Sequence, residues 1–258
     1  MNKLALATVA VALAWAPVAL AQTVDDLIAR HVQARGGLDS LRAVRNVVMT
    51  GKVRPPGFDG DFQFVETIAR PDEVRQDLTL QGLTIVQAWD GQGGWQIQPF
   101  SGRKDAERLS GDDTKSLHEE ADFEGALVDY KAKGNTVEYI GDEDVDGAPA
   151  HAIRVRLKNG DEQTFYLDPD AMLTIRVVTK QTLRGAEQQN VTDYGDYEKV
   201  NGVYFPLEME AGPKDQPSVR QRVTIDKLVV NTAVDPSVFA FPQPSQPQAA
   251  APKAPAGR

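Results

Sequence analysis

The stretch that decides the fold extends from Ala150 to Glu210. It contains five runs that alternate between the two faces of a strand and are rich in β-branched and aromatic residues. These runs are His151–Leu157 (HAIRVRL), Gln163–Leu167 (QTFYL), Leu173–Val178 (LTIRVV), Val191–Tyr197 (VTDYGDY) and Val203–Met209 (VYFPLEM). Turn residues that tolerate a positive φ or fix φ separate them at Lys158–Asp161, Asp168–Asp170 and Asn201–Gly202. The pattern predicts an up-and-down antiparallel sheet that needs a cover on its inner face.

The same alternation continues on both sides of this stretch. It predicts strands at Val47–Val53, Phe62–Ile68, Val74–Leu80, Leu83–Trp89, Trp95–Phe100, Thr136–Ile140 and Val219–Val230. The acidic segment Asp142–Asp146 is predicted to be a loop. Val234–Pro242 follows the last strand, with Phe239 and Phe241 as expected anchors to the rest of the protein.

Two segments have helical periodicity. Thr23 and Asp26 match an N-terminal capping pattern, and the helix that they begin should end at Gly36–Gly37. A short second helix over Asp39–Val44 completes a helical hairpin. In the middle of the chain, Asp112–Lys133 predicts a helical insertion that begins with acidic residues, as the helix dipole favours. Both segments are expected to lie on an open face of the sheet.

The first 21 residues are typical of a cleaved secretory signal. Lys3 precedes the apolar run Leu4–Leu20, and Ala19–Ala21 has the small-x-small form of a cleavage site. A retained N-terminal anchor is the alternative. The chain has no cysteine, which excludes disulfides, thiolate metal sites and a lipid anchor on a cysteine. We therefore expect an exported periplasmic protein that does not span the membrane after cleavage.

Composition predicts one domain and a disordered tail after the signal segment. The net charge disfavours nucleic acid and anionic lipid as partners. Residues 22–241 are expected to form a single domain, and residues 242–258, which are rich in Pro, Ala and Gln, are expected to be disordered. The formal net charge of −9 disfavours nucleic acid, whose phosphates attract basic proteins. It also disfavours electrostatic docking on anionic lipid.

No catalytic or metal-binding signature is found in the sequence. His31, His118 and His151 are far apart, and the acidic run near Asp144 lacks the glycine and the terminal glutamate of a calcium loop. No serine lies in a Gly-x-Ser-x-Gly elbow. We predict no cofactor, no metal and no enzymatic activity, and a hydrolase remains a third hypothesis. From the residues alone, the capped sheet can enclose either a packed core or a ligand cavity.

Several segments, in order, resemble the LolA-like family of periplasmic lipoprotein carriers and outer-membrane lipoprotein-sorting proteins. Phe62–Ile68 leads into Arg70-Pro71, like the family's strand that ends in Arg-Pro. Asp90-Gly91 followed by Trp95 is similar to its Asp-Gly hairpin. Gln163–Leu167 with Leu173–Ile175 resembles its central meander, and Val234–Pro242 resembles its C-terminal strand. The agreement extends over nearly the whole mature chain.

The resemblance implies a mainly β fold with helices, namely an unclosed antiparallel half-barrel with a helical lid over a hydrophobic cavity, as in LolA and LolB. It implies that Arg70 is a lid latch and that the cavity takes lipid or lipoprotein acyl chains. Strand alternation selects as cavity candidates Phe62, Phe64, Trp89, Trp95, Phe165 and Leu207. The expected lid residues are Leu117, Ala121 and Leu127.

The resemblance also implies partners, namely an inner-membrane transporter as donor and an outer-membrane acceptor. The segment Asp193–Arg222 is longer than the corresponding region of the best-known carriers, so the cargo can be a lipoprotein, a free lipid or another apolar molecule. The alternative function is an envelope sensor or interaction module that uses the same fold to bind a protein partner.

Overall fold

The computed structural model describes residues 22–242, so the expected signal segment and residues 243–258 lie outside the described residues. The described part holds one antiparallel sheet of thirteen strands and four α-helices. The strands are β1 Asn46–Arg54, β2 Phe62–Ala69, β3 Glu73–Leu80, β4 Leu83–Trp89, β5 Gly94–Gln98, β6 Arg103–Arg108, β7 Thr136–Val145, β8 Ala148–Arg156, β9 Glu162–Leu167, β10 Thr174–Leu183, β11 Ala186–Val200, β12 Val203–Pro213 and β13 Gln221–Val230. The helices are α1 Val24–Ala34, α2 Leu38–Ala43, α3 Lys115–Ala121 and α4 Tyr130–Lys133.

The sheet is a continuous meander that does not close. Strands β1 to β6 pair with their sequence neighbours, as do β7 to β13, and the two halves join where β13 pairs with β1. Strands β6 and β7 are the free edges. Helices α3 and α4 lie in the connection between these two edges, and we call residues 109–135 the lid segment. The expectation of an unclosed half-barrel is confirmed.

Two errors of the sequence reading fall on the edge strands. Strand β6 was not predicted, because its sequence RKDAER is almost entirely charged. Strand β7 continues through Asp142–Val145, which was predicted to be a loop, and turns at Asp146–Gly147 into β8. Edge strands face water along one side and tolerate charged side chains, so β-propensity is a weak guide to them.

Helix α1 is fixed at its end by contact with the β11–β12 hairpin. Gly36 has a φ of +123°, and a Cβ at this position would lie 2.1 Å from the carbonyl oxygen of Gly202. The amide of Tyr204 donates to the carbonyl of Arg35 at 2.9 Å. A residue without a side chain is therefore required where the helix ends, and the contact fixes the direction in which Arg35 leaves the helix.

Two apolar layers lie on the concave face. Helix α3 and α2 pack on β1 to β4 and on β12 and β13, with Leu41, Leu117 and Ala121 among the buried side chains. Helix α1 packs on β8 and β9, where Leu27 and Ile28 meet Ile153 and other buried residues. The helices therefore cover two separate regions of the concave face. A cavity can lie between these two regions.

The cap of α1 gives a first testable prediction. Thr23 accepts from the amide of Asp26 at 3.1 Å, and the Asp26 carboxylate accepts from the Thr23 amide at 3.2 Å. Replacing Thr23 with alanine should lower the free energy of unfolding by about 1 kcal/mol and the Tm by about 2–4 °C. Calorimetry measures both. Thr232→Ala, an exposed threonine outside any helix, is the control, and an equal loss there would contradict the capping role.

Candidate functional site

A cavity of about 1280 Å³ lies beneath the lid segment, on the concave side of the sheet. Its roof is formed by lid residues between Ser116 and Leu127. Its floor comes from alternate positions of β9 to β12, such as Gln163 and Phe165 on β9 and Val177 and Thr179 on β10. Its volume is that of a pocket for a ligand of drug size or larger.

The wall of this cavity is mixed in character. The apolar part includes Phe123, Ala126, Leu127, Leu157, Phe165 and Val177. The polar part includes Gln163, Gln181, Asn190, Thr192, Tyr194 and Gln221 together with charged side chains. The resemblance implied a hydrophobic cavity, and most of the wall surface is apolar, but the polar part is large enough that one ligand can meet both kinds of surface here.

Arg70 ties the lid segment to the body of the protein. Its guanidinium donates to the carbonyl oxygens of Val44 and Leu41 at 2.8 and 3.1 Å and to the Glu124 carboxylate at 2.6 Å. It also lies over the ring of Phe123, 4.9 Å from the centroid. The planar donor fork of arginine is suited to such simultaneous contacts. The geometry is that of the latch that the resemblance implied, and the role itself remains a proposal.

A second arginine, Arg35 at the end of α1, holds the same loop from the other side. Its guanidinium donates to the backbone carbonyls of Phe123, at 3.0 Å, and of Glu124. Burial lowers the pKa of this guanidinium, and acidic and tyrosine side chains nearby oppose the effect. Within residues 22–242 Arg35 is the donor to both carbonyls, so Arg35 and Arg70 together hold the loop.

His31 joins α1 to the loop between β9 and β10. It is buried, and its Nδ1 donates to the carbonyl oxygen of Met172 at 2.8 Å. Burial is the main cause that lowers its pKa to about 4, with the nearby Arg35 charge adding to it. The ring is therefore neutral at physiological pH and carries its proton on Nδ1. His31 lines the cavity with its neutral ring.

Three carboxyl groups lie close together where α3 meets the sheet, one of them buried (Glu66), one half-buried (Glu119) and one exposed (Glu120). Glu66 on β2 is only 8% exposed, because it lies on the same face as the core residues Phe64 and Ile68. A carboxyl group in such a position is unusual. The side-chain amide of Gln76 donates to Glu66 and to Glu120 on α3, at 2.7 Å each. One amide group thus holds two carboxyl groups from opposite sides of the lid interface.

These carboxyl groups retain their protons near neutral pH. Burial raises the pKa of Glu66 to about 7. The nearby protein interior, followed by repulsion from Glu66 and Glu119, raises the pKa of Glu120, whose side chain remains exposed to solvent. Burial and the Asp161 charge raise the pKa of Glu119 to about 7, and one of its carboxyl oxygens is buried without a hydrogen-bond partner in the described part of the chain. The lid interface is therefore sensitive to pH in the neutral range.

Two tyrosines on β11 face the same space. Burial raises the pKa of Tyr194 to about 12, and burial also raises the pKa of Tyr197. The Tyr197 hydroxyl donates to the carbonyl oxygen of Thr174 at 2.7 Å. Both side chains are therefore neutral at physiological pH, and Tyr194 lies in the cavity wall beside Thr192.

The six predicted cavity residues fall into three groups, of which the third contains Trp95 alone and is described below. Phe165 lines the cavity. Phe62, Phe64, Trp89 and Leu207 belong to the apolar layer in which α3 packs directly on the sheet. Among the lid residues, Leu117 and Ala121 lie in the same layer, whereas Leu127 lines the cavity. The lid is in contact with the sheet over β2 to β4, and the cavity lies mainly over β9 to β12, with residues of the β1–β2 and β2–β3 connections at its margin.

Trp95 lies on the other face of the sheet, so the prediction that it faces the cavity is wrong. It pairs with Ala88, whose side chain also faces outward, and both belong to a separate cluster with Val86. Its indole Nε1 donates to the carbonyl oxygen of Phe239 at 2.7 Å, and Phe241 packs against it. In the β4–β5 pair Trp95 lies opposite Ala88 and not opposite Trp89. Neighbouring positions of a strand face opposite sides, so this difference of one position places Trp95 on the other face from Trp89.

Sequence reasoning missed Arg35, Glu66, Glu119 and Glu120. For Glu66 a signal existed, because strand alternation places it on the same face as Phe64 and Ile68. For Arg35 no signal existed, since its target is a loop nearly ninety positions away in sequence. Within residues 22–242 no group of three or more potential metal ligands is found, and no helix there is long and apolar enough to cross a membrane.

Comparison with solved structures shows a LolA-like fold. A domain described as that of an outer membrane lipoprotein-sorting protein from Vibrio parahaemolyticus matches with a TM-score of 0.58 at 12% identity, over 82% of this chain and 94% of that chain. A DUF1329 family protein from Desulfovibrio piger matches with a TM-score of 0.58 at 12% identity, over 85% and 98% of the two chains.

A LolA superfamily protein from Nitrosomonas europaea matches with a TM-score of 0.57 at 9% identity, over 84% of this chain and 97% of that chain. At these identities the likeness concerns the fold alone. No protein-family model and no curated protein matches the sequence.

Proposed function

We propose that the protein is an exported periplasmic carrier that holds the acyl chain of a lipid or lipoprotein in the cavity beneath the lid and moves it toward the outer membrane. The observation that carries the proposal is the cavity itself, about 1280 Å³ between the lid segment and β9 to β12. A concave pocket of this size with apolar side chains in its wall is the kind of site that binds a ligand. The similarity to a lipoprotein-sorting domain supports the same class of ligand.

The wall indicates how the ligand is held. An acyl chain contributes about 0.8 kcal/mol for each buried methylene, and Phe165, Leu127 and Val177 offer the surface for it. The polar part of the same wall, including Tyr194, suits the polar end of an amphiphile. The mechanism is burial without bond chemistry, so release requires that the lid opens at the acceptor.

The polar side chains of the wall also favour a second candidate, the envelope interaction module. Gln163, Gln181 and Asn190 can hydrogen-bond the backbone of a peptide segment as readily as a lipid head group. A partner protein that binds with the same affinity after the lipid has been extracted would favour this candidate. A partner that binds only the lipid-loaded form would favour the carrier.

A cavity-filling variant tests the carrier function. Thr179 lines the cavity, and Val178 beside it on β10 faces the outer side of the sheet. Thr179→Trp should weaken uptake of a fluorescent fatty acid at least about tenfold, because the added ring occupies the space of several methylenes. Val178→Trp should leave uptake close to that of the unmodified protein. Equal uptake by both variants would contradict the proposed location.

A further inference from the structure

Several turns at one end of the half-barrel carry exposed apolar side chains. Because adjacent strands are antiparallel, the β1–β2, β3–β4, β5–β6, β8–β9, β10–β11 and β12–β13 connections all lie at the same end of the sheet. We call four of them the loop rim, namely the β1–β2, β3–β4, β5–β6 and β12–β13 connections at residues 55–61, 81–82, 99–102 and 214–220. The connections on the opposite end include the β4–β5 hairpin loop around Gln92.

The loop rim carries the exposed apolar side chains. Within residues 22–242, the large hydrophobic residues that are exposed are Phe58, Leu83, Phe100 and Val219, at 44%, 42%, 47% and 42%. Each lies in the loop rim or directly beside it. The ring of Phe62 joins two of them, with centroids 5.9 Å from Phe58 and 6.0 Å from Phe100. Single exposed hydrophobic residues are ordinary, but a set confined to one end marks an interaction surface.

The cavity reaches this same end. Pro56 from the β1–β2 connection and Val219 from the β12–β13 connection both line it, as does Gln221 at the start of β13. The apolar surface is therefore continuous with the site proposed to hold the ligand. A partner that covers the loop rim also faces the cavity.

The apolar side chains and the charges of the loop rim indicate what kind of partner it binds. Its exposed apolar side chains come from separate connections, which suits a fluid apolar phase better than a shaped protein surface. Its charged residues are three aspartates, one lysine and one arginine, and the arginine, Arg220, is paired with Asp193 at 3.0 Å. No excess of positive charge is present there to attract anionic lipid.

We propose that the loop rim docks on the surface of a lipid bilayer, with Phe58, Leu83 and Phe100 entering the interfacial region and the cavity facing the membrane. Aromatic side chains are favoured at this depth of a bilayer. The use of such docking for ligand transfer rests on the proposed carrier function, whereas the docking itself does not. Attraction is apolar, so it should depend little on salt or on lipid charge.

A site-specific label tests the orientation. The chain has no cysteine, so Ser101→Cys beside Phe100 and Gln92→Cys at the opposite end each accept a single environment-sensitive fluorophore. Both positions are exposed. With phosphatidylcholine vesicles, the label at residue 101 should shift to the blue and the label at residue 92 should not. An unchanged spectrum at residue 101, or equal shifts at both positions, would overturn the proposal.

A pair of double variants tests the chemistry. Phe58→Ser with Phe100→Ser should lower vesicle partitioning at least about tenfold, because two exposed rings are lost. Phe58→Leu with Phe100→Leu keeps apolar side chains and should partition like the unmodified protein. Equal partitioning of the serine pair, or binding that disappears at high salt, would contradict apolar docking.

The docking and the carrier function can fail separately. Uptake of a fluorescent fatty acid from solution by the serine pair should match that of the unmodified protein, since neither phenylalanine lines the cavity. Uptake without vesicle binding in the unmodified protein overturns the docking alone. Vesicle binding without uptake overturns the carrier function and leaves the docking supported.

Discussion

Replacing Arg35 with methionine is expected to release the lid segment while the sheet remains folded. Methionine keeps the apolar stem but leaves the carbonyls of Phe123 and Glu124 without their charged donor. Two charge-assisted hydrogen bonds at about 1.5 kcal/mol each give a loss of about 3 kcal/mol in the free energy that holds the lid. Amide hydrogen exchange over residues 115–133 should become about 100-fold faster.

A second arginine provides a matched control. Arg42 pairs with Asp129 at 2.8 Å, but both side chains are exposed, so Arg42→Met should change exchange in the lid by less than about fivefold. Arg70→Met should act like Arg35→Met, because it removes contacts to Glu124 and to two backbone carbonyls. Lid exchange that stays at the unmodified rate in Arg35→Met would contradict the clamp, as would acceleration spread evenly over the sheet.

The second large effect concerns pH. An unfolded glutamate has a pKa of about 4.3, whereas the pKa of folded Glu66 is about 7. Between these values the folded state keeps a proton that the unfolded state has lost. The contribution to stability is therefore complete below about pH 4.3 and is lost as the pH rises toward 7.

Glu66→Gln should remove most of this dependence. The glutamine can still accept from Gln76 but cannot ionise, so the variant should be more stable than the unmodified protein at pH 8, by up to roughly 3–4 kcal/mol. At pH 4.5 the two proteins should have nearly equal stability. Denaturant unfolding from pH 4.5 to 8.5 measures the difference, with the exposed Glu198→Gln as control. A variant that is less stable at pH 8 would contradict a protonated Glu66.

The fold could be predicted because it depends on local patterns. Alternation and turn residues locate most strands, and the Asn201–Gly202 turn indeed has positive φ at both residues. The capping pattern at Thr23 also identifies the start of α1. The reading was wrong for β6 and for the second half of β7, where one side of the strand faces water and charge replaces alternation.

The site could be predicted much less well. Alternation gives the two faces of a strand, but the lid decides which part of the concave face is filled and which part remains open. Phe64 and Phe165 have equivalent patterns, yet α3 packs on the first and the cavity lies over the second. The polar wall and the contacts of Arg35 depend on pairs distant in sequence, which no single segment encodes.

The central claim is that an amphiphile occupies the space between the lid and β9 to β12. The most direct measurement is mass spectrometry of an organic extract of the protein purified from its host, compared with the same extract of Thr179→Trp. We predict a copurifying lipid or acylated molecule in the unmodified protein and much less of it in the variant. An extract without lipid, together with no uptake of a fluorescent fatty acid, would contradict the account.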